Sequence, residues 1–193
     1  DYVVITSVDR DDLPDFGAGV FAEVVREIRS RRPECRIEVL IPDFQGREAP
    51  LRTVLEAGPD VLNHNTETVP SLYRMARPGG KYPRALELLG RARGLAPTIP
   101  TKTGLMVGLG ETKEELVDVL RDLRAVDCRI LTIGQYLRPT LAHLPMARYY
   151  TPEEFQHLKR IALDLGFGHV ESGPLVRSSY HAHEQADSYA ART

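Results

Sequence analysis

The sequence predicts an α/β fold in which a parallel sheet is covered by helices. Short apolar runs recur along the chain, and segments with helical spacing of apolar residues separate them. Continuously apolar strands that alternate with amphipathic helices are typical of parallel sheets with right-handed crossovers. This pattern does not distinguish a barrel from an open sheet. The predicted strands cover residues 2–5, 37–41, 61–62, 105–107, 130–133 and 169–170.

The first helices are predicted from apolar spacing and from their terminators. An apolar stripe from Val20 to Ile28 has i, i+3, i+4 spacing, and Pro33 ends it. A short second helix around residues 51–55 ends at Gly58. Two further helical pieces, 69–76 and 83–93, lie between the third and fourth strands.

The last two helices are predicted from their starts. Thr112 and Thr151 are each followed three residues later by glutamate, which is the pattern of a capping box. Pro152 adds a proline at the first helical position. We therefore expect helices to begin directly after both threonines.

Composition predicts one soluble domain over residues 1–193. The chain is 42% hydrophobic and 27% charged, with a formal net charge of -2. Its basic residues are scattered, so we expect no nucleic-acid or membrane partner, and we expect a cytoplasmic protein. Cys35 and Cys128 are far apart in the sequence, which predicts two buried free thiols rather than a disulfide or a metal site. The chain begins inside a strand, so we expect an N-terminal part to be missing.

Each predicted strand ends in a polar or glycine-bearing cluster, and such ends build the active sites of parallel β/α folds. Residues 7–12 concentrate charge after the first strand, where they either bind an amino acid or cap a loop. Asn63 and Asn65 have the same strand parity and favour hydroxyl ligands over an internal polar network. His64 has the opposite parity, so we interpret it as structural.

Two further clusters leave alternatives open. Residues 104–111 run from a strand through glycines into a capped helix, which suits either ligand contact or an ordinary turn. Lys102 is either at the bottom of the sheet or exposed to solvent. The tail 177–181 combines Arg, Ser and His, but no Gly-x-Ser-x-Gly elbow surrounds its serines, so nucleophilic serine catalysis is disfavoured.

Taken together, these segments resemble the lipoyl synthase family of the radical S-adenosylmethionine superfamily. The similarity extends over essentially the whole chain, and the tail is its most family-specific part. The matching segments are 4–13, 41–44, 63–70, 77–78, 104–111, 134–139 and 173–181.

The resemblance implies a partial (β/α)6 TIM-like barrel of parallel strands with covering helices, whose first strand is missing here. It implies two [4Fe-4S] clusters and S-adenosylmethionine as cofactors. One cluster splits S-adenosylmethionine to a 5′-deoxyadenosyl radical, and the auxiliary cluster donates sulfur to an octanoyl-lysine. The implied partners are an octanoylated lipoyl-domain carrier protein and an electron donor such as flavodoxin or ferredoxin.

The resemblance also assigns roles to individual residues. A tail serine is expected to ligate the auxiliary cluster, at Ser179 with Ser178 as the alternative, and Arg177 to help release it during catalysis. The remaining assignments are Ser7 and Asp9 to the methionyl part, Asn63, Asn65 and Glu67 to the ribose or substrate, and Gly108, Gly110, Glu111, Gln135, Tyr136 and Leu137 to the adenine.

The sequence departs from this family in its cysteines. The family needs two sets of three cysteines for its clusters, and only Cys35 and Cys128 are present. We therefore expect this chain alone to be inactive. One alternative is a non-catalytic barrel that retains only S-adenosylmethionine or carrier-protein binding. A second is a metal-independent aldolase that uses Lys102 as a Schiff-base amine.

Overall fold

The computed structural model describes residues 1–179, which form one six-stranded parallel sheet with helices between successive strands. The predicted α/β fold is confirmed. The strands are β1 (Tyr2–Thr6), β2 (Arg36–Leu40), β3 (Val61–Asn63), β4 (Thr101–Val107), β5 (Ile130–Gln135) and β6 (His169–Gly173); the helices are α1 (Ala18–Arg31), α2 (Glu48–Glu56), α3 (Tyr73–Ala76), α4 (Tyr82–Leu95), α5 (Lys113–Ala125) and α6 (Pro152–Asp164).

The strands lie in sequence order across the sheet, and every neighbouring pair is parallel. Their carboxyl ends therefore meet along a single rim. Strand β6 is longer than the two residues that the apolar pattern predicts, because its last three residues, Glu171, Ser172 and Gly173, join the ladder despite having no apolar side chain.

The outward face of the sheet is mostly apolar and packs against the helices. Val39 and Leu62 belong to one buried cluster with α1 and α2, and Leu105, Leu131 and Ile133 belong to a second with α5 and α6. Each such side chain contributes roughly 2 kcal/mol through removal of apolar area from water. Every second residue of a strand thus packs against the apolar face of a helix, whose residues recur about every 3.6 positions.

The inward face carries a buried polar cluster. The Glu38 carboxylate accepts hydrogen bonds from Tyr2 Oη at 2.7 Å, from Asn63 Nδ2 at 2.7 Å and from Lys102 Nζ at 3.0 Å. Glu38 is on β2 and Lys102 on β4, and strands two apart are separated by nearly 10 Å in a flat sheet. The long side chains of Lys102 and Glu38 thus span the intervening strand β3 on this face.

Lys102 is fully buried, so the interpretation as a solvent lysine is wrong. Burial lowers the pKa of its ammonium, and the charge of Glu38 opposes that shift. Its amine is engaged by a carboxylate below the strand ends, which argues against a Schiff-base role.

Both predicted capping boxes are present. Thr112 Oγ1 accepts a hydrogen bond from the Glu115 amide at 3.2 Å, and the Glu115 carboxylate accepts one from the Thr112 amide at 2.8 Å. Thr151 and Glu154 repeat the arrangement at the start of α6. Among residues 1–179, none of the helices has the length and apolar character needed to cross a bilayer.

Candidate functional site

A cavity of about 600 Å³ opens at the carboxyl ends of β4 and β5. Its floor is formed by inward-facing residues of these strands, Gly104, Met106, Thr132 and Gly134. One wall is the loop that follows β5, and the other is formed by the segments after β3 and β6. The lining residues from these segments are Asn65, Glu67, Met75, Ala76, Pro78, Gln135, Tyr136, Leu137, Pro139, Ala142, His143, Leu144, Val176, Arg177 and Ser178.

A smaller cavity of about 150 Å³ lies beside the first, at the ends of β1 to β3. Ser7 and Asp9 line it, and both are exposed. Asn65 and Glu67 line both cavities, so they form the boundary between the two. The structure thus brings together four residues that the sequence singled out from two separate clusters.

Glu67 is held in an unusual backbone conformation at this boundary. Its φ is 71°, in the left-handed region that non-glycine residues rarely adopt. Its amide donates to the Gly104 carbonyl at 3.0 Å, and its own carbonyl accepts from the Met106 amide at 2.7 Å. These two bonds attach the segment after β3 to β4 and hold the Glu67 side chain between the cavities.

Arg77 is the charged partner of Glu67. Its Nη1 atom lies 3.9 Å from the Glu67 carboxylate and donates to the Asn65 carbonyl at 3.1 Å. Burial raises the pKa of Glu67, and the guanidinium of Arg77 opposes that shift. No role for Arg77 alone was predicted from the sequence. Gly80 packs against the Arg77 side chain, because a β-carbon at position 80 would lie 2.7 Å from Arg77 Cδ.

Asn63, at the end of β3, and Asn65, two residues beyond it, lie in different surroundings. Asn63 is fully buried beneath the cavity, where its Nδ2 donates to Glu38, while its Oδ1 has no partner within residues 1–179. Asn65 Oδ1 is buried but has no hydrogen-bond partner within residues 1–179. Gly104 makes room for it, since a β-carbon there would lie 2.7 Å from that oxygen. A ligand hydroxyl or amine at the cavity would satisfy this acceptor.

The glycine turn after β4 is closed by Glu111. Its buried carboxylate accepts hydrogen bonds from the Gly108 amide at 2.6 Å and the Leu109 amide at 2.9 Å. Gly108 has a φ of 101°, and a β-carbon there would overlap the side chain of Gln135. Gly110 is exposed. Packing within the protein therefore accounts for Gly108, and these two amides are not free to bind an anion.

Gln135 organises the wall after β5. Its amide nitrogen donates to the carbonyls of Val107, Tyr136 and Arg148, each at 3.1 Å, and its oxygen accepts from the Tyr150 amide at 3.0 Å. All of these partners belong to the protein, so Gln135 supports the loop while it lines the cavity.

Tyr136 and Leu137 line the same wall as Gln135. Tyr136 Oη donates to the Leu144 carbonyl at 2.9 Å, and Leu137 is 44% exposed. Arg138 donates to the His143 carbonyl at 2.9 Å and also to that of Leu141, so the loop is held by its own hydrogen bonds.

Only some of the tail residues line the cavity. Arg177 and Ser178 line the cavity, whereas Ser179 is exposed and does not contribute to the lining. Tyr180 and His181, which complete the motif, lie outside the described residues. The assignment of an iron ligand to Ser179 or Ser178 therefore stays a prediction.

The cysteines lie away from the cavity. Cys35 and Cys128 are buried free thiols that precede β2 and β5, at the amino ends of the strands. Burial raises the pKa of Cys128 to about 12, which disfavours the thiolate. Residues 1–179 contain no cluster of His, Cys, Asp or Glu suited to a metal ion. Within that range, the residues present thus do not fit an iron-sulfur cluster.

Another hollow, of about 530 Å³, lies between α5 and α6. It is lined by helix residues and Tyr150, and it includes none of the candidate site residues.

Comparison with solved structures supports the fold. Methylornithine synthase superposes with a TM-score of 0.63 over 99% of this chain and 66% of its own, at 15% identity. That likeness concerns the fold alone.

Sequence comparison gives closer relatives. The lipoyl synthase of Koribacter versatilis is 62% identical over 187 residues, which is 97% of this chain and 62% of the relative. The lipoyl synthase of Rubrobacter xylanophilus is 60% identical over 186 residues, 96% of this chain and 58% of the relative. The chain thus spans less than two thirds of these curated relatives. The radical SAM superfamily model matches residues 1–123, and the chain belongs to that superfamily, in its lipoyl synthase family.

Proposed function

We propose that this chain is the S-adenosylmethionine-binding barrel of a lipoyl synthase, which inserts sulfur into an octanoyl-lysine of a carrier protein. The similarity to lipoyl synthases supports the reaction class. The single observation that carries the ligand assignment is Asn65 Oδ1, a buried acceptor with no partner in the described chain, at the boundary of two cavities. S-adenosylmethionine offers ribose hydroxyls as donors for such an oxygen.

The cavities suit the two halves of this cofactor. Ser7 and Asp9 line the small polar cavity, where a carboxylate and a hydroxyl would bind the methionyl ammonium. Asn65 and Glu67 would hold the ribose hydroxyls at the boundary. When bound, S-adenosylmethionine supplies the adenosyl group that the family uses for hydrogen abstraction.

The proposed adenine region is the wall after β5. The side chains of Tyr136 and Leu137 would pack against the ring, while Gln135 keeps the wall in place through its four hydrogen bonds. Gly108, Gly110 and Glu111 would contribute by shaping the neighbouring turn. Asn63 would act from below, because its amide is bound to Glu38.

Calorimetric titration with S-adenosylmethionine tests this assignment. We expect saturable binding to the wild-type chain and about tenfold weaker binding to Asn65→Ala, the loss of roughly one hydrogen bond. Gln156→Ala removes an exposed amide on α6 and should bind like the wild type. Absence of saturable binding to the wild type would refute the ligand assignment.

We also propose that this chain alone does not catalyse sulfur insertion, since its two cysteines cannot supply six thiolate ligands. Arg177 and a tail serine, Ser179 with Ser178 as the alternative, remain proposed contributors at the auxiliary cluster. Reconstitution with iron and sulfide, followed by absorption spectroscopy, tests the first statement. A stoichiometric [4Fe-4S] spectrum from this chain would contradict it.

The carrier protein is proposed to dock over the cavity mouth. Large apolar side chains are exposed on segments that follow the strand ends, among them Leu141 at 87% and Leu175 at 73%. Exposed apolar groups of this kind mark interaction surfaces when they occur together. An electron donor such as flavodoxin or ferredoxin remains a proposed second partner.

Binding of an octanoylated lipoyl domain tests the docking surface. Leu141→Asp and Leu175→Asp should each weaken binding about tenfold. Val20→Asp is the control, because Val20 is 60% exposed within helix α1, whereas Leu141 and Leu175 belong to the segments that follow β5 and β6. Equal effects of all three substitutions would count against a docking site at the mouth. Carrier binding without any binding of S-adenosylmethionine would favour the non-catalytic alternative.

A further inference from the structure

Two glycines lie side by side at the upper end of the inward face. Gly134 on β5 and Gly173 on β6 are register partners in the parallel ladder. Neither carries a β-carbon, so the sheet has a shallow notch where two neighbouring side chains would otherwise stand. A glycine inside a strand often marks the close approach of another segment of backbone.

The segment in this notch is the start of the tail. The chain turns back after β6, with the Val176 amide donating to the Gly173 carbonyl at 3.2 Å. The Val176 carbonyl oxygen then lies over Gly134, where a β-carbon would approach it closer than the 3.0 Å that real β-carbons keep. The Val176 side chain is 7% exposed and lies 3.4 Å from where a β-carbon of Gly173 would be.

Contacts in the notch extend to the residues that line the cavity. Arg177 Nη1 donates to the same Val176 carbonyl at 2.7 Å and lies 3.4 Å from the position of a Gly134 β-carbon. Arg177 and Ser178 follow directly and form part of the cavity lining. The position of the Val176 carbonyl therefore determines where both side chains stand.

We infer that Gly134 is a positioning residue: together with Gly173 it forms a notch that seats Val176 and so sets Arg177 and Ser178 at the cavity. Any side chain at position 134 would displace the tail backbone, because the obstructing atom is a carbonyl oxygen rather than the end of a flexible side chain. Position 173 is more tolerant, because its nearest neighbour is a valine methyl at 3.4 Å. The consequence for Arg177 and Ser178 as site residues rests on the proposed function; the seating of the tail does not.

Hydrogen exchange measured by mass spectrometry tests the notch. In Gly134→Ala, exchange at the Val176 amide should be at least tenfold faster than in the wild type, with the strands themselves unchanged. In Gly173→Ala the exchange rate of the Val176 amide should rise by a smaller factor. This variant also tests the notch if Gly134→Ala does not fold. Gly94→Ala is the matched control, since a β-carbon at Gly94 meets nothing within 4 Å. Equal exchange in all of the folded proteins, or faster exchange spread over the whole sheet, would overturn the inference.

A second measurement separates positioning from simple packing. With S-adenosylmethionine bound, exchange at residues 176–178 should slow in the wild type and in Gly94→Ala but not in Gly134→Ala. Unchanged slowing in Gly134→Ala would show that the notch does not position the tail for the cavity. If no protein binds the cofactor in calorimetry, the proposed function fails, whereas the ligand-free exchange rates still decide whether the notch seats the tail.

Discussion

The two faces of the sheet are built by opposite chemistry from the same strands. The outward face presents side chains such as Leu62, Leu105 and Leu131 to the helices, whereas the inward face presents Glu38 and Lys102 to each other. Outward contacts are numerous and tolerant of small changes in shape. The inward contacts are few and directional, and each one leaves a buried polar group unsatisfied if its partner is removed.

The outward face therefore mainly stabilises the fold, whereas the inward face mainly shapes the cavity. Apolar burial outside holds the strands to the helices and is the main source of folding free energy. The polar cluster inside contributes little net stability, because desolvation offsets much of its electrostatic attraction. The inward face instead supplies the floor of the cavity, where glycines and small polar groups leave space.

The largest effect is expected from breaking the inner ion pair. Lys102→Met leaves the Glu38 charge buried without its cationic partner, so we expect the free energy of unfolding to fall by about 4 kcal/mol. Urea denaturation measures it. Glu38→Gln combined with Lys102→Met removes both charges and should recover at least half of that loss. A double variant as unstable as the single one would mean that the pair itself stabilises the fold.

An outer truncation should cost somewhat less. Leu131→Ala removes a fully buried side chain between the sheet and the helices, and we expect a loss of about 3 kcal/mol in urea denaturation. Leu141→Ala is the matched control, because Leu141 is 87% exposed and its truncation should change stability by under about 0.5 kcal/mol. Similar losses for both leucines would contradict the assignment of the core to the outward face.

His64, which lines the smaller cavity, provides a pH-dependent probe of the strand ends. Its buried ring bonds to the Ile41 carbonyl at 2.9 Å, and burial lowers its pKa to about 4 from an ordinary value of 6.5. The unfolded chain therefore takes up the proton first, so this contribution to stability is complete above pH 6.5 and is lost as pH falls towards 4. Between about pH 7 and about pH 5 the wild type should lose about 2 kcal/mol relative to His64→Gln. Parallel stability profiles for the two proteins would refute this account.

The helix caps should give the smallest effects. Thr112→Ala and Thr151→Ala each remove one capping hydrogen bond from the helices that cover the outward face, at a cost of about 1 kcal/mol. Thermal unfolding followed by circular dichroism measures this. Thr98→Ala changes an exposed threonine outside the helices and should be within about 0.5 kcal/mol of the wild type. A loss of stability in Thr98→Ala equal to that in the two cap variants would show that the capping boxes do not stabilise their helices specifically.

The sequence predicted the fold well because the outward face follows local rules. Apolar periodicity and the boxes at Thr112 and Thr151 depend on residues a few positions apart, so they can be seen without tertiary information. The inner cluster could not be predicted in this way, because Glu38 and Lys102 are 64 residues apart and meet only once the sheet has formed.

The candidate site was predicted in outline but not in detail. Strand parity placed Asn63 and Asn65 on one side, yet only Asn65 reaches the cavity, because Glu38 binds the other amide. The sequence pattern around Gly108 suited a ligand contact and a turn equally well. The reason for the glycine is its contact with Gln135, which lies on the next strand. Such distinctions depend on contacts between distant segments, which no local pattern records.

The left-handed backbone conformation of Glu67 favours glycine at this position, whereas a carboxylate between the cavities requires glutamate. Glycine would adopt that conformation without strain, so Glu67→Gly should relieve about 1 kcal/mol while deleting the carboxylate between the cavities. Selection for stability alone would thus favour glycine at this position, whereas the ligand contact proposed above would favour glutamate. Retention of glutamate in this conformation is therefore expected only if its carboxylate has a use that outweighs the strain.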